Sequence, residues 1–300
     1  MISRSPFFYV GDKYKLMPQL SKLMPDDINT FYDAFVGGGS AYLNIEANRY
    51  CVNDIDENVI ALHKEFSQFA NDFDYIINDL FSIIDDYGLT CSYLGKTVPT
   101  ELKTQYPKTY FAKYNKDAYA RLRDAYNDNP NNIILYILLI YGFNHMIRFN
   151  SSGKFNLPVG NVDLNNNVVT ALANYLDFAN THSVDFYCQD YKGFISSIDF
   201  QDGDFIYLDP PYLITNSEYN KIWSEKEERE LYELLDTLDK KGIKFGLSNM
   251  LCHKGRDNPI LESWSKKYYT IPISSNYISF NDNTIKKESK EVYVTNHKKQ

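Results

Sequence analysis

Five short apolar runs, separated by stretches of helical periodicity, limit what this chain can become more than any other feature. They lie at 31–36 (FYDAFV), 50–53 (YCVN), 184–188 (VDFYC), 204–208 (DFIYL) and 243–248 (IKFGLS), and they are rich in Val, Ile, Phe and Tyr. Runs of that length and composition are buried strands. Strands alternating with helices imply a mostly parallel sheet of the α/β class. The clearest helical pattern is 224–240, where Ser224 and Glu227 form a capping box, Leu231, Leu234, Leu235 and Leu238 line one face, and Gly242 stops the helix.

The alternation breaks between about 60 and 165, where the chain becomes helical, rich in Tyr and Lys, and then irregular at FNSSGKFNLPVG (149–160). A chain of 300 residues has room for about two domains. The expected plan is therefore one domain built from 1–60 and 163–300, interrupted by a smaller one at 61–162. DNPNN (128–132) and DLNNN (163–167) serve as turns or linkers.

The longest apolar stretch, Ile133 to Tyr141, is too short to cross a bilayer and lacks the flanks of a signal peptide, so a soluble cytoplasmic protein is expected. Four scattered cysteines, without a C-x-x-C pair or a His/Cys cluster, indicate neither a disulfide framework nor a metal site. His253 stands beside Cys252 but lacks the orienting partner that a Cys/His nucleophile requires. Charge is unevenly spread. The whole chain is −8, yet residues 1–24 carry net +3, 96–123 net +5, 143–160 net +2 and 286–300 net +3. A basic face on an acidic body orients a polyanion, or the runs are ordinary solvated charge; motifs must decide.

Two stretches carry chemistry. In FYDAFVGGGSAYLN (31–44) a strand runs into Gly37, Gly38 and Gly39 and then an expected helix. Glycine permits close approach of a ligand at the strand's carboxyl end. Asp54 follows seventeen residues after Gly37, at the end of the next strand, where doubly wound sheets place an acid for ribose hydroxyls. The preceding strand carries its own acid, Asp33, which would repel a pyrophosphate and suit a cation, so S-adenosylmethionine fits better than a dinucleotide. In GDFIYLDPPYLI (203–214) another strand ends on Asp209, with Pro210 and Pro211 fixing the backbone and Tyr212 adding an aromatic face. Rigid acceptors beside a methyl donor suit an amine such as adenine N6, whose reaction then depends mainly on positioning. A base inside a duplex must flip to reach such a pocket. Read blandly, the motif is a stiff turn after a strand.

Together with YVGDKYKLMPQL (9–20), NDID (53–56), GFNHMIRFNSSGKFNLPVG (142–160) and KFGLSN (244–249), these stretches resemble the Dam-type DNA adenine-N6 methyltransferases, particularly the phage-like members that insert a target-recognition domain before DPPY. The resemblance implies a Rossmann-like, S-adenosylmethionine-dependent methyltransferase sheet, with a mainly helical inserted domain bearing a β-hairpin at about 143–160. It implies catalytic roles for Asp209, Pro210 and Tyr212, and a cofactor site of Tyr9, Lys13, Phe35, Gly37, Gly38, Gly39, Ser40, Asp54 and Asp209. It also implies double-stranded DNA contacts by Phe143 (filling the gap left by a flipped base), Asn144, Met146, Arg148 (reading guanine), Asn150 and Pro158, with GATC as target and no metal. A restriction endonuclease acting on the same site, without direct binding, would be the biological partner. From the residues alone, Phe143 and Met146 also read as core and Arg148 as a surface charge. Phe8 replaces the lysine that some members use to contact the first guanine. The acceptor array also suits cytosine N4, RNA adenine or a protein glutamine, or a silent DNA-binding module.

Overall fold

The computed structural model describes residues 2–215, 223–274 and 289–298. Its strands are β1 (Thr30–Asp33), β2 (Arg49–Asp54), β3 (Val184–Cys188), β4 (Phe205–Leu208), β5 (Lys244–His253), β6 (Arg256–Asp257), β7 (Tyr269–Ile273) and β8 (Ser289–Thr295). They form one sheet in the order β3-β2-β1-β4-β5-β8-β7, with the short β6 paired to β5. The first five are mutually parallel, while β8 is antiparallel to both its neighbours. Strand order reverses at β1, which lies between β2 and β4, so the carboxyl ends of β1 and β4 flank the crevice where open α/β sheets bind ligands.

The five expected strands are present with shifted ends. β1 stops at Asp33, β4 begins one residue late, and β5 runs on to His253 through a bulge between Met250 and Cys252. Asp204 is left outside β4 because its carboxylate clamps the strand starts, accepting from the backbone N–H groups of Thr30 (3.1 Å) and Gln201 (2.9 Å). One expectation is corrected. The glycine turn leads not into an α-helix but into a three-residue 3-10 turn, Tyr42–Asn44. The Asn44 side chain donates back to the carbonyls of Ser3 and Ser40 (2.8 Å each), and β2 begins five residues later.

Helices α1 (Met17–Leu20), α2 (Glu57–Ser67), α3 (Phe73–Tyr87), α4 (Thr100–Gln105), α5 (Tyr110–Asp128), α6 (Asn132–Tyr141) and α7 (Asn166–Thr181) precede β3, and all but the first intervene between β2 and β3. The two Asn-rich stretches cap helices: Asn131 accepts from the N–H groups of Ile133 and Ile134, and Asn165 from those of Asn167 and Val168. α6, apolar all round, has eight of its residues buried and ties the helical layer to the sheet. A single apolar cluster runs from Phe31 and Val52 of the sheet through Phe66 to Leu138 and Tyr141. The other face is covered by α8 (Tyr191–Ser196), α9 (Glu225–Lys240) and α10 (Pro259–Trp264). On α9 the capping box is formed in both directions, and Gly242, at φ +78°, closes the helix. Among the described residues no helix is long and apolar enough to cross a membrane.

Gly246 in the middle of β5 has a steric reason. A Cβ there would lie 2.1 Å from the buried Tyr293 hydroxyl oxygen, so the tyrosine of β8 occupies the space a side chain would need. Gly246→Ala is expected to destabilise the fold by about 1–3 kcal/mol through overpacking, measured by urea unfolding, with Tyr293→Phe restoring part of the loss.

Candidate active site

At the β1 carboxyl end the glycines form a loop that a side chain would disrupt. Gly37 has φ +46° and Gly39 φ +90°. A Cβ on Gly39 would fall 2.5 Å from the Tyr42 ring and 2.9 Å from that of His63, and one on Gly38 would meet Tyr9 Cβ at 3.0 Å. Tyr9 thus lies along the loop, and its hydroxyl reaches Asp56 at 3.5 Å. Asp54 is bound to the same loop: Oδ2 accepts from Gly37 N–H (2.9 Å) and Oδ1 from Asp56 N–H (3.0 Å). Burial nevertheless raises its carboxyl to about 6. The Ser40 hydroxyl is turned onto Asp12. Phe35 packs against Tyr191 (5.3 Å between ring centroids) and Trp223 (5.8 Å), making one aromatic wall.

Asp209 leaves β4 on the other side of the crevice. Its Oδ2 is 2.7 Å from Lys13 Nζ, and its Oδ1 faces the Tyr212 hydroxyl at 3.2 Å. Lys13 also donates to the Gly11 carbonyl (3.3 Å) and sits 4.9 Å from the Tyr212 ring centroid. Burial raises the Asp209 carboxyl above the usual range, and the Lys13 ammonium opposes that rise. Tyr212 is 8% exposed, and its hydroxyl donates to Glu291 Oε1 at 2.7 Å. Pro210 is buried beside it. Asp33, 1% exposed, is pushed well above its ordinary value by burial first and by Asp209 second, and its Oδ1 has no hydrogen-bond partner among the described residues. From its sequence context Asp33 is expected to be a standing negative charge. Its surroundings instead favour the protonated form unless a cation arrives.

Tyr9, Gly37, Gly38, Gly39 and Asp54 therefore meet in one loop at the β1 end, Ser40 bonds Asp12 beside Lys13, Lys13 pairs with Asp209, and Phe35 packs with Tyr191 and Trp223. The hairpin residues lie apart on the helical layer. Phe143 N–H donates to the Pro158 carbonyl (2.9 Å), Asn156 N–H to Arg148 (3.0 Å) and Asn150 N–H to Lys154 (2.9 Å), so the arms pair antiparallel. Phe143 is 52% exposed, and Asn144 (φ 56°) and His145 (φ 50°) bend the chain beneath it. Met146 packs against the core. Arg148 donates from Nε to Asn156 Oδ1 (2.9 Å) and from Nη2 to Asn156 O (2.8 Å). Asn150 Oδ1 holds the tip turn, accepting from Ser152 and Lys154 N–H. Pro158 is exposed. Where the family resemblance expects a lysine, Phe8 lies under the Arg4 guanidinium at 4.2 Å.

Two site residues escaped the sequence reading, His63 and Glu291. His63, fully buried, faces the Gly37 carbonyl from Nε2 (2.9 Å) and the Tyr42 hydroxyl from Nδ1 (3.1 Å). A carbonyl only accepts, so Nε2 carries the hydrogen and Nδ1 accepts. Burial lowers its pKa from 6.5 to about 4. Between those values the unfolded chain binds a proton that the folded chain does not. Stability therefore falls as pH drops from about 6.5 to about 4, by up to about 3 kcal/mol, and this group has no effect above that window. Asp54, raised by burial, titrates nearby with the opposite sign. The measurement is therefore the difference between parent and His63→Gln in urea-unfolding free energy across pH 4–7, and the variant is expected to lack the acid-side loss.

The model of the D12 class N6 adenine-specific DNA methyltransferases matches residues 9–279. The chain is 32% identical to the type II methyltransferase M.FokI of Planomicrobium okeanokoites and 32% identical to the modification methylase StsI of Streptococcus sanguinis. Each alignment covers 98% of this chain but 43% of the relative, so the chain spans less than half their length. It is 23% identical to the DNA adenine methylase of Escherichia coli K12, over 93% of this chain and 90% of that protein. A crevice at the sheet's switch point, with LDPPY at one lip and a glycine loop at the other, accords with a match of this extent: the chain belongs to the D12 class N6 adenine-specific DNA methyltransferase family.

Proposed function

We propose that this protein transfers a methyl group from S-adenosylmethionine to N6 of an adenine flipped out of duplex DNA. The observation that carries this reading is Asp209 at the end of β4, ion-paired to Lys13 and next to the parallel strand β1 that leads into the glycine loop. The residues fit the cofactor. The glycine loop packs so closely on Tyr9, Tyr42 and His63 that Gly38 and Gly39 have no room for a side chain, which fixes its backbone, and among the described residues the buried Asp33 Oδ1 lacks a partner that a cationic ligand would supply. A dinucleotide is disfavoured further by the missing α-helix after the glycines, since a pyrophosphate rests on such a helix N-terminus. Tyr9, Lys13, Phe35, Gly37, Gly38, Gly39, Ser40 and Asp54 would hold the cofactor, Asp54 through its ribose hydroxyls and Phe35 through its flat base. Bound there, S-adenosylmethionine supplies a methyl group on a positively charged sulfur.

Asp209 and the backbone carbonyls fixed by Pro210 would accept the two N6 hydrogens, turning the nitrogen lone pair toward the crevice. Such positioning accounts for most of the rate in a reaction that needs no covalent help from the protein. The 61–162 insertion is assigned to DNA, with Phe143 exposed for insertion into the stack and Arg148 for a guanine edge. Asn144, Met146, Asn150 and Pro158 support that hairpin. GATC is the target that the Dam-type resemblance implies. A second reading, a different adenine site, is favoured by the higher identity to type II enzymes than to the Dam enzyme and by Phe8. A role beside a restriction endonuclease goes with that second reading, since two such relatives are named as type II or modification methylases.

Mapping N6-methyladenine in DNA from cells expressing the chain tests activity and target together. Asp209→Ala is expected to lower methylation at least about a hundredfold. It also removes one ion-pair partner of the buried Lys13, so Asp209→Asn, which keeps the shape, is the companion that separates chemistry from folding. Arg148→Ala is expected to relax selection at one base position by about 1–3 kcal/mol, read from methylation of single-substitution oligonucleotides. Equal weakening on every sequence would show that Arg148 does not read a base.

A further inference from the structure

We infer that Glu291 is a positioning residue of this reaction, holding the Tyr212 hydroxyl so that the Tyr212 ring and the Asp209 carboxylate keep one fixed relation. Glu291 lies on β8, flanked by β5 and β7 and paired in register with Met250 and Ile273. It is 1% exposed, and Oε1 accepts from the Tyr212 hydroxyl at 2.7 Å. Its other oxygen, Oε2, is buried without a hydrogen-bond partner among the described residues. The cross-strand neighbour Met250 packs with Tyr212 and Ile214 in a small apolar cluster. Strands β5 and β8 thus give Tyr212 an apolar seat under its ring and one acceptor at its hydroxyl.

Stability does not account for a carboxyl group at this position. A buried acid with one donor and an orphaned second oxygen costs free energy that an apolar side chain of similar volume would not. The residues that follow it on β8, Val292, Tyr293 and Val294, are fully buried hydrophobics. What the carboxyl group provides is direction. The Tyr212 hydroxyl lies between Glu291 Oε1 and Asp209 Oδ1, while Lys13 holds the other Asp209 oxygen and also approaches the Tyr212 ring. Glu291, Tyr212, Asp209 and Lys13 form one connected chain. Removing its far end leaves the single hydroxyl hydrogen to Asp209 alone, so the tyrosine is drawn toward Asp209 Oδ1 and the relation between ring and carboxylate that Glu291 sets is lost.

This inference rests on the methyltransferase reading, and the test separates the two. Steady-state methylation of a duplex oligonucleotide carrying the mapped site is measured with S-adenosylmethionine for the parent, Glu291→Leu, Glu291→Gln, Tyr212→Phe and the Leu/Phe double variant. Glu291→Leu is expected to melt no lower than the parent and to bind cofactor and DNA within about twofold of it, yet to lose about ten- to a hundredfold in kcat. Glu291→Gln keeps an acceptor for the tyrosine and is expected to recover most of that loss. In the Tyr212→Phe background, where the hydroxyl is already gone, Glu291→Leu is expected to cost nothing further. Should the leucine variant fail to fold, Glu291→Met, unbranched and close in volume, takes its place. An unchanged kcat in the apolar variant, or losses that multiply in the double variant, overturns the inference. A parent protein that methylates no duplex at all overturns the functional reading instead.

Discussion

The ion pair between Lys13 and Asp209 is the interaction on which the site depends. The sheet order reverses at β1, bringing the ends of β1 and β4 together, and each delivers a carboxyl group there, Asp33 buried and Asp209 half-buried. Asp33, Asp209 and Glu291 crowd there with Lys13 as the ammonium set against Asp209. Paired well, a buried charge is tolerable; unpaired, it neutralises or costs several kcal/mol. Among the described residues the site is thus short of positive charge, and burial first, with the neighbouring carboxyl groups after it, makes Asp33 and Asp209 hold their protons more tightly. A cationic ligand would relieve that shortage and a pyrophosphate would deepen it.

The glycine loop is held by a second, neutral system. Gly37 is gripped from both sides, its N–H by Asp54 and its carbonyl by His63. A protonated imidazole in that place would bring an unpaired charge into an aromatic layer of Phe7, Tyr42 and Tyr175. Burial keeps the ring neutral, so its tautomer and the loop carbonyl it binds are fixed together. Shape on one lip and charge on the other are therefore set by different residues, and a change in one need not disturb the other.

Much of this was readable from the amino-acid sequence because the informative residues are close together in the chain. Asp209, the prolines and Tyr212 are consecutive, and Asp54 follows Gly37 by a spacing that one strand-to-strand crossover dictates. His63 and Glu291 were not readable, since each acquires its meaning only through folding. His63 reaches the loop from α2, one apolar-face position among several, and Glu291 reaches Tyr212 across 79 residues of chain. The strands β7 and β8 carry Pro272 and a Lys-Glu start, which mask their pattern. The helix expected after the glycines failed for a local reason, because Asn44 is drawn to Ser3 and the chain must begin β2 at once.

The hairpin shows the opposite balance, in which backbone geometry decides and side chains follow. Its base is a crossing of two glycines: a Cβ on Gly160 would lie 2.6 Å from the Gly142 carbonyl, and one on Gly142 2.4 Å from the Leu157 side chain. Phe155 and Leu157 bury one face of the returning arm, while Phe143 and Pro158 remain on the outside. Arg148 spends two donors on Asn156 and keeps the rest of its planar fork, so its orientation is decided before any partner arrives. Under the proposed reading this preorganisation replaces rotamer entropy that a free arginine would lose on binding. The same bonds narrow what it can read: a guanidinium anchored through Nε and one terminal nitrogen offers its remaining edge in one direction, as the two adjacent acceptors of a guanine edge require.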